Sequence, residues 1–82
     1  MLRARVYVTL KKSVFDPQGK TIHEALAGLG YAGVNDVRQG KFFEVELLGV
    51  TPDEARATLE EISRKVLANP VIESYLVEIE SP

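Results

Sequence analysis

Residue types that could perform catalysis or hold a transition metal are sparse in this chain. His23 is the only histidine and there is no cysteine. A transition-metal site would therefore need carboxylates alone to complete it, and no thiolate is available as a nucleophile. His23 falls beside the apolar stripe of a predicted helix, where general-base catalysis would still need a positioned partner and a substrate cleft. The sequence predicts no catalytic residue and no metal ligand in this chain.

Residues 28–33 have the glycine spacing G-x-G-x-x-G, which is also the spacing of the dinucleotide-binding fingerprint. That fingerprint follows a strand and opens a helix, so that the pyrophosphate meets free backbone amides. Here the glycines close a predicted helix, and the carbonyl end of a helix repels phosphate. We interpret the motif as a helix stop with Gly30 in the left-handed conformation, and no nucleotide cofactor is expected on this chain.

Composition narrows the class of protein further. The 82 residues are predicted to form a single domain, 1–82, with 10 basic and 12 acidic residues and a net charge of −2. That balance argues against nucleic acid or an anionic membrane as the main partner. The apolar runs are far shorter than the ~20 residues that a membrane helix needs. The first residues lead directly into a strand pattern, so no signal peptide and a cytoplasmic protein are expected.

The predicted order of elements is β-α-β(-β)-α-β. Residues 3–11 and 71–80 alternate with the period of a strand, and Asp16-Pro17 and Thr51-Pro52 are typical helix starts. Two amphipathic helices on one face of an antiparallel-rich sheet make a two-layer ferredoxin-like α+β sandwich. The apolar stripes are Ile22, Ala25, Leu26 and Leu29 on the first helix, and Ala55, Leu59, Ile62 and Val66 on the second.

The segment from Val34 to Leu48 allows two arrangements. Gln39-Gly40 could form a tight hairpin turn between two strands. Alternatively, Gly40 could be a bulge within one long bent strand. The number of strands, three or four, is left open by the sequence.

The sheet face that the helices leave open is predicted to carry paired charges. Arginines on the central first strand would face glutamates on both neighbouring strands, each pair contributing about 0.2–1 kcal/mol. Apolar residues among paired charges indicate a surface that meets another protein, and a domain of this size often gains stability by oligomerising. The polar residues of this face are Arg3, Arg5, Thr9, Lys11, Glu44, Glu46, Glu78 and Glu80, and the apolar ones are Tyr7, Phe42, Leu48 and Leu76.

Four short stretches carry a resemblance to a known family. They are Val8-Thr9-Leu10-Lys11, Asp16-Pro17-Gln18-Gly19, Val37-Arg38-Gln39-Gly40-Lys41, and the segment Leu67 to Tyr75 with Asn69-Pro70 at its centre. Gly19 in a first helical turn removes a side chain where another group can approach the backbone closely. In this order and at these spacings, from about Arg3 to Glu80, the stretches resemble the PurS family, the small subunit of formylglycinamidine ribonucleotide (FGAM) synthase in purine biosynthesis.

The resemblance implies a non-catalytic subunit of a glutamine-dependent C–N ligase. The synthetase partner of such a subunit binds ATP, magnesium and formylglycinamide ribonucleotide, and a glutaminase partner releases ammonia from glutamine. The small subunit contacts both, helps to hold the complex together and assists ammonia transfer; it forms a homodimer or larger homo-oligomer. The residues predicted to lie at partner interfaces are Tyr7, Asp16, Pro17, Gln18, Gly19, Arg38, Gly40, Lys41, Asn69, Pro70 and Leu76.

Two other classes of function remain open at this point. One is a stand-alone ferredoxin-like regulatory domain that binds a small molecule and would show a ligand-dependent thermal shift. The other is a small dimeric α+β enzyme, which would turn over a substrate by itself.

Overall fold

The computed structural model describes residues 1–80, so the last two positions of the predicted domain lie outside the described residues. Its elements are β1 (Leu2–Leu10), α1 (Pro17–Gly28), β2 (Gly40–Leu47), α2 (Pro52–Ile62), a π-helical turn that continues α2 (Ser63–Leu67, the π-turn) and β3 (Glu73–Glu80). No helix in this part of the chain is long and apolar enough to cross a membrane.

The sheet has three antiparallel strands in the order β2-β1-β3, as expected for a central first strand. Residues 34–39 form no strand, which settles the ambiguity around Gly40. Gly40 is neither a hairpin turn nor a bulge but the first residue of β2, opposite Thr9. A Cβ atom there would collide with the Val8 carbonyl oxygen. A residue without a side chain is therefore required where β2 joins the sheet.

The core lies between α2 and the inner face of the sheet. Ala4, Val6 and Val8 of β1 are fully buried and pack with Leu59 of α2 and Val77 of β3. The predicted alternation of β1 is thus confirmed. α2 packs against β1 and β3. It begins with a complete capping box, in which the Thr51 and Glu54 side chains each bond the other residue's backbone amide.

The end of the second apolar stripe differs from the prediction. Val66 was expected to face the core, yet it is 76% exposed. The π-turn closes with a hydrogen bond from the Ala68 amide to the Ser63 carbonyl at 2.8 Å. An i→i+5 turn accommodates one more residue than an α-helical turn, so the buried face shifts along the chain to Ser63 and Ala68.

The first helix was expected to cover the sheet, and its stripe instead remains largely open to solvent. Ile22 is 40% exposed and Leu29 74% exposed. The backbone measures 50 × 29 × 14 Å along its principal axes. A nine-residue strand spans about 30 Å and a twelve-residue helix about 18 Å, so α1 extends the sheet lengthwise rather than lying on it.

The segment after α1 folds back along the helix. Gly30 has φ +98°, which confirms the predicted left-handed helix stop. The Tyr31 amide bonds the Leu26 carbonyl at 3.0 Å, and His23 Nε2 lies 2.8 Å from the Val34 carbonyl oxygen. His23 therefore joins α1 to its own return segment. We refer to residues 17–37 as the arm.

Candidate functional site: a polar cleft at one end of the sheet

The turn stretches that are far apart in sequence meet at one end of the sheet. There, where β1 ends and β2 and β3 begin, a cleft of about 270 Å³ opens. Its polar lining consists of Asp16, Gln18, Gln39, Lys41 and Glu73. The structure therefore brings the Asp16–Gly19 and Arg38–Lys41 stretches together with the start of β3.

Asp16 is the buried anchor of this cleft. Its Oδ1 atom accepts the Gly19 amide at 2.9 Å, as predicted for the N-cap of α1. Its Oδ2 atom accepts the Gln39 amide at 2.7 Å. The Gln39 amide, followed by the Gly19 amide, holds the pKa of the Asp16 carboxyl below its usual value. One carboxylate therefore fixes both the start of α1 and the approach to β2.

The first turn of α1 packs tightly against the segment that enters β2. A Cβ atom at Gly19 would collide with the Val37 carbonyl oxygen, which confirms the predicted close backbone approach. Gln18 accepts a hydrogen bond from the Gln39 side-chain amide at 2.8 Å. The sequence alone did not indicate a structural role for Gln18, because its hydrogen-bond partner Gln39 is 21 residues away in the chain.

Lys41 and Glu73 form the opposite side of the cleft. The Lys41 ammonium group lies 3.5 Å from a Glu73 carboxylate oxygen and donates to the Leu67 carbonyl at 3.3 Å. The other Glu73 oxygen accepts the Asn69 amide at 2.7 Å. These contacts tie together the start of β2, the end of the π-turn and the first residue of β3.

The predicted turn at Asn69-Pro70 is present, although β3 begins later than expected. The Asn69 side-chain oxygen accepts the Val71 amide at 3.1 Å, and its backbone carbonyl accepts the Glu73 amide at 2.7 Å. These bonds keep Val71 in the turn, so the strand starts at Glu73 rather than Val71. The helix itself ends at Leu67, one residue before the extended Ala68.

Two polar cleft residues were not among the predicted interface positions. Gln39 and Glu73 lie within the stretches that carry the family resemblance, but neither was singled out. A signal for Glu73 exists in the sequence, because the period of β3 places it on the same face as Tyr75 and Val77. A carboxylate at an inward position requires a partner, and Lys41 supplies one.

Arg38 has a structural role beside the cleft. Its guanidinium group donates to the Lys11 carbonyl at 2.9 Å and to the Val14 carbonyl at 3.0 Å. It therefore closes the loop between β1 and α1. Its predicted role at a partner interface stays a prediction.

The other predicted interface residues, Tyr7 and Leu76, lie on the outer face of the sheet, away from the cleft. Tyr7 stacks on Phe42 with ring centroids 5.2 Å apart, and Leu76 is the register partner of Tyr7 on β3. Phe42 is 52% exposed and Leu76 58% exposed. A hydrogen bond to Glu78 raises the pKa of the Tyr7 hydroxyl. We refer to Tyr7, Phe42 and Leu76 as the outer apolar row.

Ion pairs lie in the predicted register on one side of the outer apolar row, toward the start of β1. Arg3 lies 3.8 Å from Glu46 on β2, and Arg5 lies 2.7 Å from Glu80 on β3. The expectation that arginines on the central strand face glutamates on both sides is confirmed. Such exposed pairs contribute little stability by themselves, so their position next to an exposed apolar row is the more informative feature.

Within residues 1–80 there is no group of three or more His, Asp or Glu residues that could hold a metal ion. Asp16, Gln18, Lys41 and Glu73 each use their polar atoms to hold the cleft in shape. Fold and site together define a small ferredoxin-like α+β protein that presents two surfaces with pre-formed geometry.

Comparison with known proteins shows which family the chain belongs to. Residues 3–81 match the family model PurS, described as phosphoribosylformylglycinamidine (FGAM) synthase. The chain therefore belongs to the PurS family, and the resemblance inferred from the turn stretches is confirmed.

Individual relatives agree over the whole chain. It is 48% identical over 77 residues to the FGAM synthase subunit PurS of Synechocystis sp., covering 92% of this chain and 75% of that one. It is 44% identical to the same subunit of Mycobacterium leprae, covering 99% of both chains.

Solved structures show the same fold. The PurS crystal structure from Methanocaldococcus jannaschii has a TM-score of 0.90 at 35% identity, covering 100% of this chain and 99% of that one. The structure of PurLQS from Thermotoga maritima includes a chain that matches with a TM-score of 0.86 at 27% identity, covering 98% of this chain and 99% of that one. The α+β class with an antiparallel sheet and two helices is thereby confirmed.

Proposed function

We propose that this chain is the non-catalytic small subunit of FGAM synthase in de novo purine biosynthesis. The observation that carries the proposal is the family match over residues 3–81, with relatives of nearly equal length that are named as the PurS subunit. The reaction of the complex converts formylglycinamide ribonucleotide, glutamine, ATP and water to formylglycinamidine ribonucleotide, glutamate, ADP and phosphate.

The proposed role within the complex is to bridge two larger subunits. A synthetase subunit would bind ATP and magnesium, and a glutaminase subunit would release ammonia. The small subunit would hold these in register so that ammonia passes to the synthetase without loss to solvent. The matching chain from Thermotoga maritima comes from a structure of PurLQS, and this supports such an assembly.

Two surfaces of the chain suit the two contacts. The cleft presents Gln18 and Lys41 on a backbone that Asp16 and Gly40 fix in place. The outer apolar row lies beside two ion pairs on the open face of the sheet. The first surface is polar and rigid, and the second has the exposed apolar centre of a protein interface.

The proposal is tested by reconstitution with the synthetase and glutaminase subunits of the same organism. Synthase activity is measured with either glutamine or ammonium chloride as the nitrogen source. The glutamine-dependent rate should require this chain, because it depends on assembly and ammonia transfer. The ammonia-dependent rate of the synthetase should change much less when the chain is omitted.

The purified chain alone serves as the control and should neither hydrolyse glutamine nor consume ATP. Steady glutaminase turnover by the chain alone, or a glutamine-dependent rate that is the same without it, would refute the proposed function.

A further inference from the structure

The π-turn at the end of α2 buries different side chains from those that the sequence pattern favours. The apolar stripe has the spacing of one face of an uninterrupted α-helix, and its members are Ala55, Leu59, Ile62 and Val66. Leu59 is fully buried, whereas Val66 is 76% exposed. Ala68 lies outside that spacing, yet it belongs to the core. An uninterrupted α-helix would turn Val66 toward the core, and the π-turn places Ala68 there instead.

Two backbone amides are candidates to bond the Ser63 carbonyl. In the structure the Ala68 amide donates to it at 2.8 Å, which is the i→i+5 bond of a π-turn. In an α-helix the Leu67 amide would donate to the same carbonyl. We call these two arrangements the π register and the α register. A change from one to the other needs new hydrogen bonds only in the last turn, and α2 before it stays intact.

The π register carries a cost in free energy. It leaves the Val66 side chain in water and buries Ala68, although burying a valine removes more apolar surface from water than burying an alanine. Ser63 is fully buried at the start of the turn, and its hydroxyl has no hydrogen-bond partner within residues 1–80. A buried hydroxyl without a partner is unfavourable. Contacts outside the turn are therefore needed to offset these costs.

The compensating contacts lie at the cleft. The Leu67 carbonyl accepts the Lys41 ammonium group at 3.3 Å. Ala68 then leaves the helix in an extended conformation, and the Asn69 amide donates to Glu73 at 2.7 Å. Lys41 and Glu73 are themselves 3.5 Å apart. The π register thus determines where the backbone groups that hold the charged side of the cleft are placed.

From these observations we propose that the π-turn is a two-position switch for this side of the cleft. In the π register the Leu67 carbonyl holds Lys41. In the α register Val66 turns toward the core, the Ala68 amide is released and Lys41 loses this acceptor. A molecule that bonds Lys41 in place of Leu67 therefore favours the α register, and the α register in turn makes Lys41 available to such a molecule. Occupancy of the cleft is thereby coupled to the end of α2.

Hydrogen exchange of single amides, followed by nuclear magnetic resonance, tests the switch. The Ala68 amide exchanges whenever the α register forms, whereas the Val6 amide of the central strand reports global unfolding. Val66→Leu and Val66→Gln form a matched pair, because leucine and glutamine have similar helix propensity but differ in polarity. Relative to Val6, exchange at Ala68 should become roughly threefold faster in Val66→Leu, which favours burial, and roughly threefold slower in Val66→Gln.

The same substitutions at Thr58 serve as the control, because Thr58 is exposed on α2 before the turn. Thr58→Leu and Thr58→Gln should leave the ratio of the two exchange rates unchanged. A ratio that moves in the same direction in both Val66 variants, or in neither, would overturn the switch.

The coupling to the cleft is tested by Lys41→Ala. Loss of the ammonium group removes the donor to the Leu67 carbonyl, so exchange at Ala68 should rise roughly threefold relative to Val6. Lys20→Ala is the control, since Lys20 is similarly exposed and also pairs with a glutamate, but on α1. An equal rise at Ala68 and Val6 would show global destabilisation and would overturn the coupling. These measurements use the purified chain alone, so their outcome is independent of the proposed function in FGAM synthase.

Discussion

Asp16 accepts the Gln39 backbone amide at 2.7 Å across 23 positions of the sequence, while its second oxygen caps the helix that follows it. A cap alone would need only the second bond. The first bond joins the base of the arm to the start of β2, at the rim of the cleft. The geometry of this side of the cleft therefore depends on the buried Asp16 carboxylate.

Substitution of this carboxylate is expected to be costly. Asp16→Ala removes the cap and leaves the Gln39 amide without its acceptor, so the melting temperature should fall by roughly 5–10 °C. The measurement is thermal unfolding followed by circular dichroism. Asp53→Ala, in the first turn of α2, is the control and should change the melting temperature much less. An equal loss in both variants would contradict the role of Asp16 as an anchor.

Asp16 should also contribute to the pH dependence of the free energy of unfolding. Hydrogen bonds from Gln39 and Gly19 lower the pKa of Asp16 in the folded state, with a smaller contribution from Arg38. The stabilisation is therefore complete above the ordinary aspartate pKa of about 4. It is lost as the pH falls through the lowered folded-state pKa. Urea unfolding at a series of pH values should show a steeper acid loss for the unmodified chain than for Asp16→Asn. Parallel curves would argue against this linkage.

The cleft rim can be tested for partner contact by Gln18→Ala and Lys41→Ala. The Gln18 side chain makes only an exposed contact within the chain, so Gln18→Ala should change the melting temperature little. Lys41→Ala removes the partner of the mostly buried Glu73 carboxylate and should lower the melting temperature modestly, so activity is measured well below the melting range of both variants. Complex formation should weaken roughly three- to tenfold, about 1 kcal/mol, if these residues contact another subunit. Glutamine-dependent activity at limiting subunit concentration measures this.

The control for Lys41→Ala is Lys65→Ala. Lys65 is similarly exposed and also pairs with a glutamate, Glu61, but lies on the helical surface away from the cleft. It should leave the activity unchanged. Full activity of both cleft variants would show that Gln18 and Lys41 serve only the structure of these turns and do not contact another subunit.

Self-association is expected from the unmodified chain at micromolar concentration, with a mass of at least twice 9.1 kDa. The outer apolar row is a separate surface from the arm, and its contribution is tested by Leu76→Lys. This change should shift the dilution curve to higher protein concentration, because it places a charge in an apolar centre. A monomer at all concentrations would contradict the prediction.

Helix caps were sufficient to predict both helix starts. Period-two alternation, together with the strand order of a ferredoxin-like fold, predicted the central position of β1 and the pairing of Arg3 and Arg5 with glutamates. Those features depend on local geometry and on strand order. The clustering of the turn stretches follows once the strand order is known, since all of them lie at the same end of β1.

Other features could not be predicted from the residues, for physical reasons. The stripe from Ile22 to Leu29 shows which side of α1 is apolar, but not whether the same chain covers it. Val66 has the spacing of the apolar stripe of α2, but it lies inside the π-turn, which changes the phase of the helix. The Gln18–Gln39 bond joins two common polar residues, and neither has a local pattern that identifies the other.

The pairing of β1 with β3 has a consequence for the order of events during synthesis. Arg3 lies opposite Glu80, so the strand at the centre of the sheet receives one of its two neighbours from the last described element. Until residues 73–80 have left the ribosome, β1 has an open edge that can pair with another chain. Native structure formed before that point can include the β1–β2 ladder but not the complete sheet. Nascent chains are therefore prone to aggregation until residues 73–80 emerge, because one edge of the core strand stays unpaired until then.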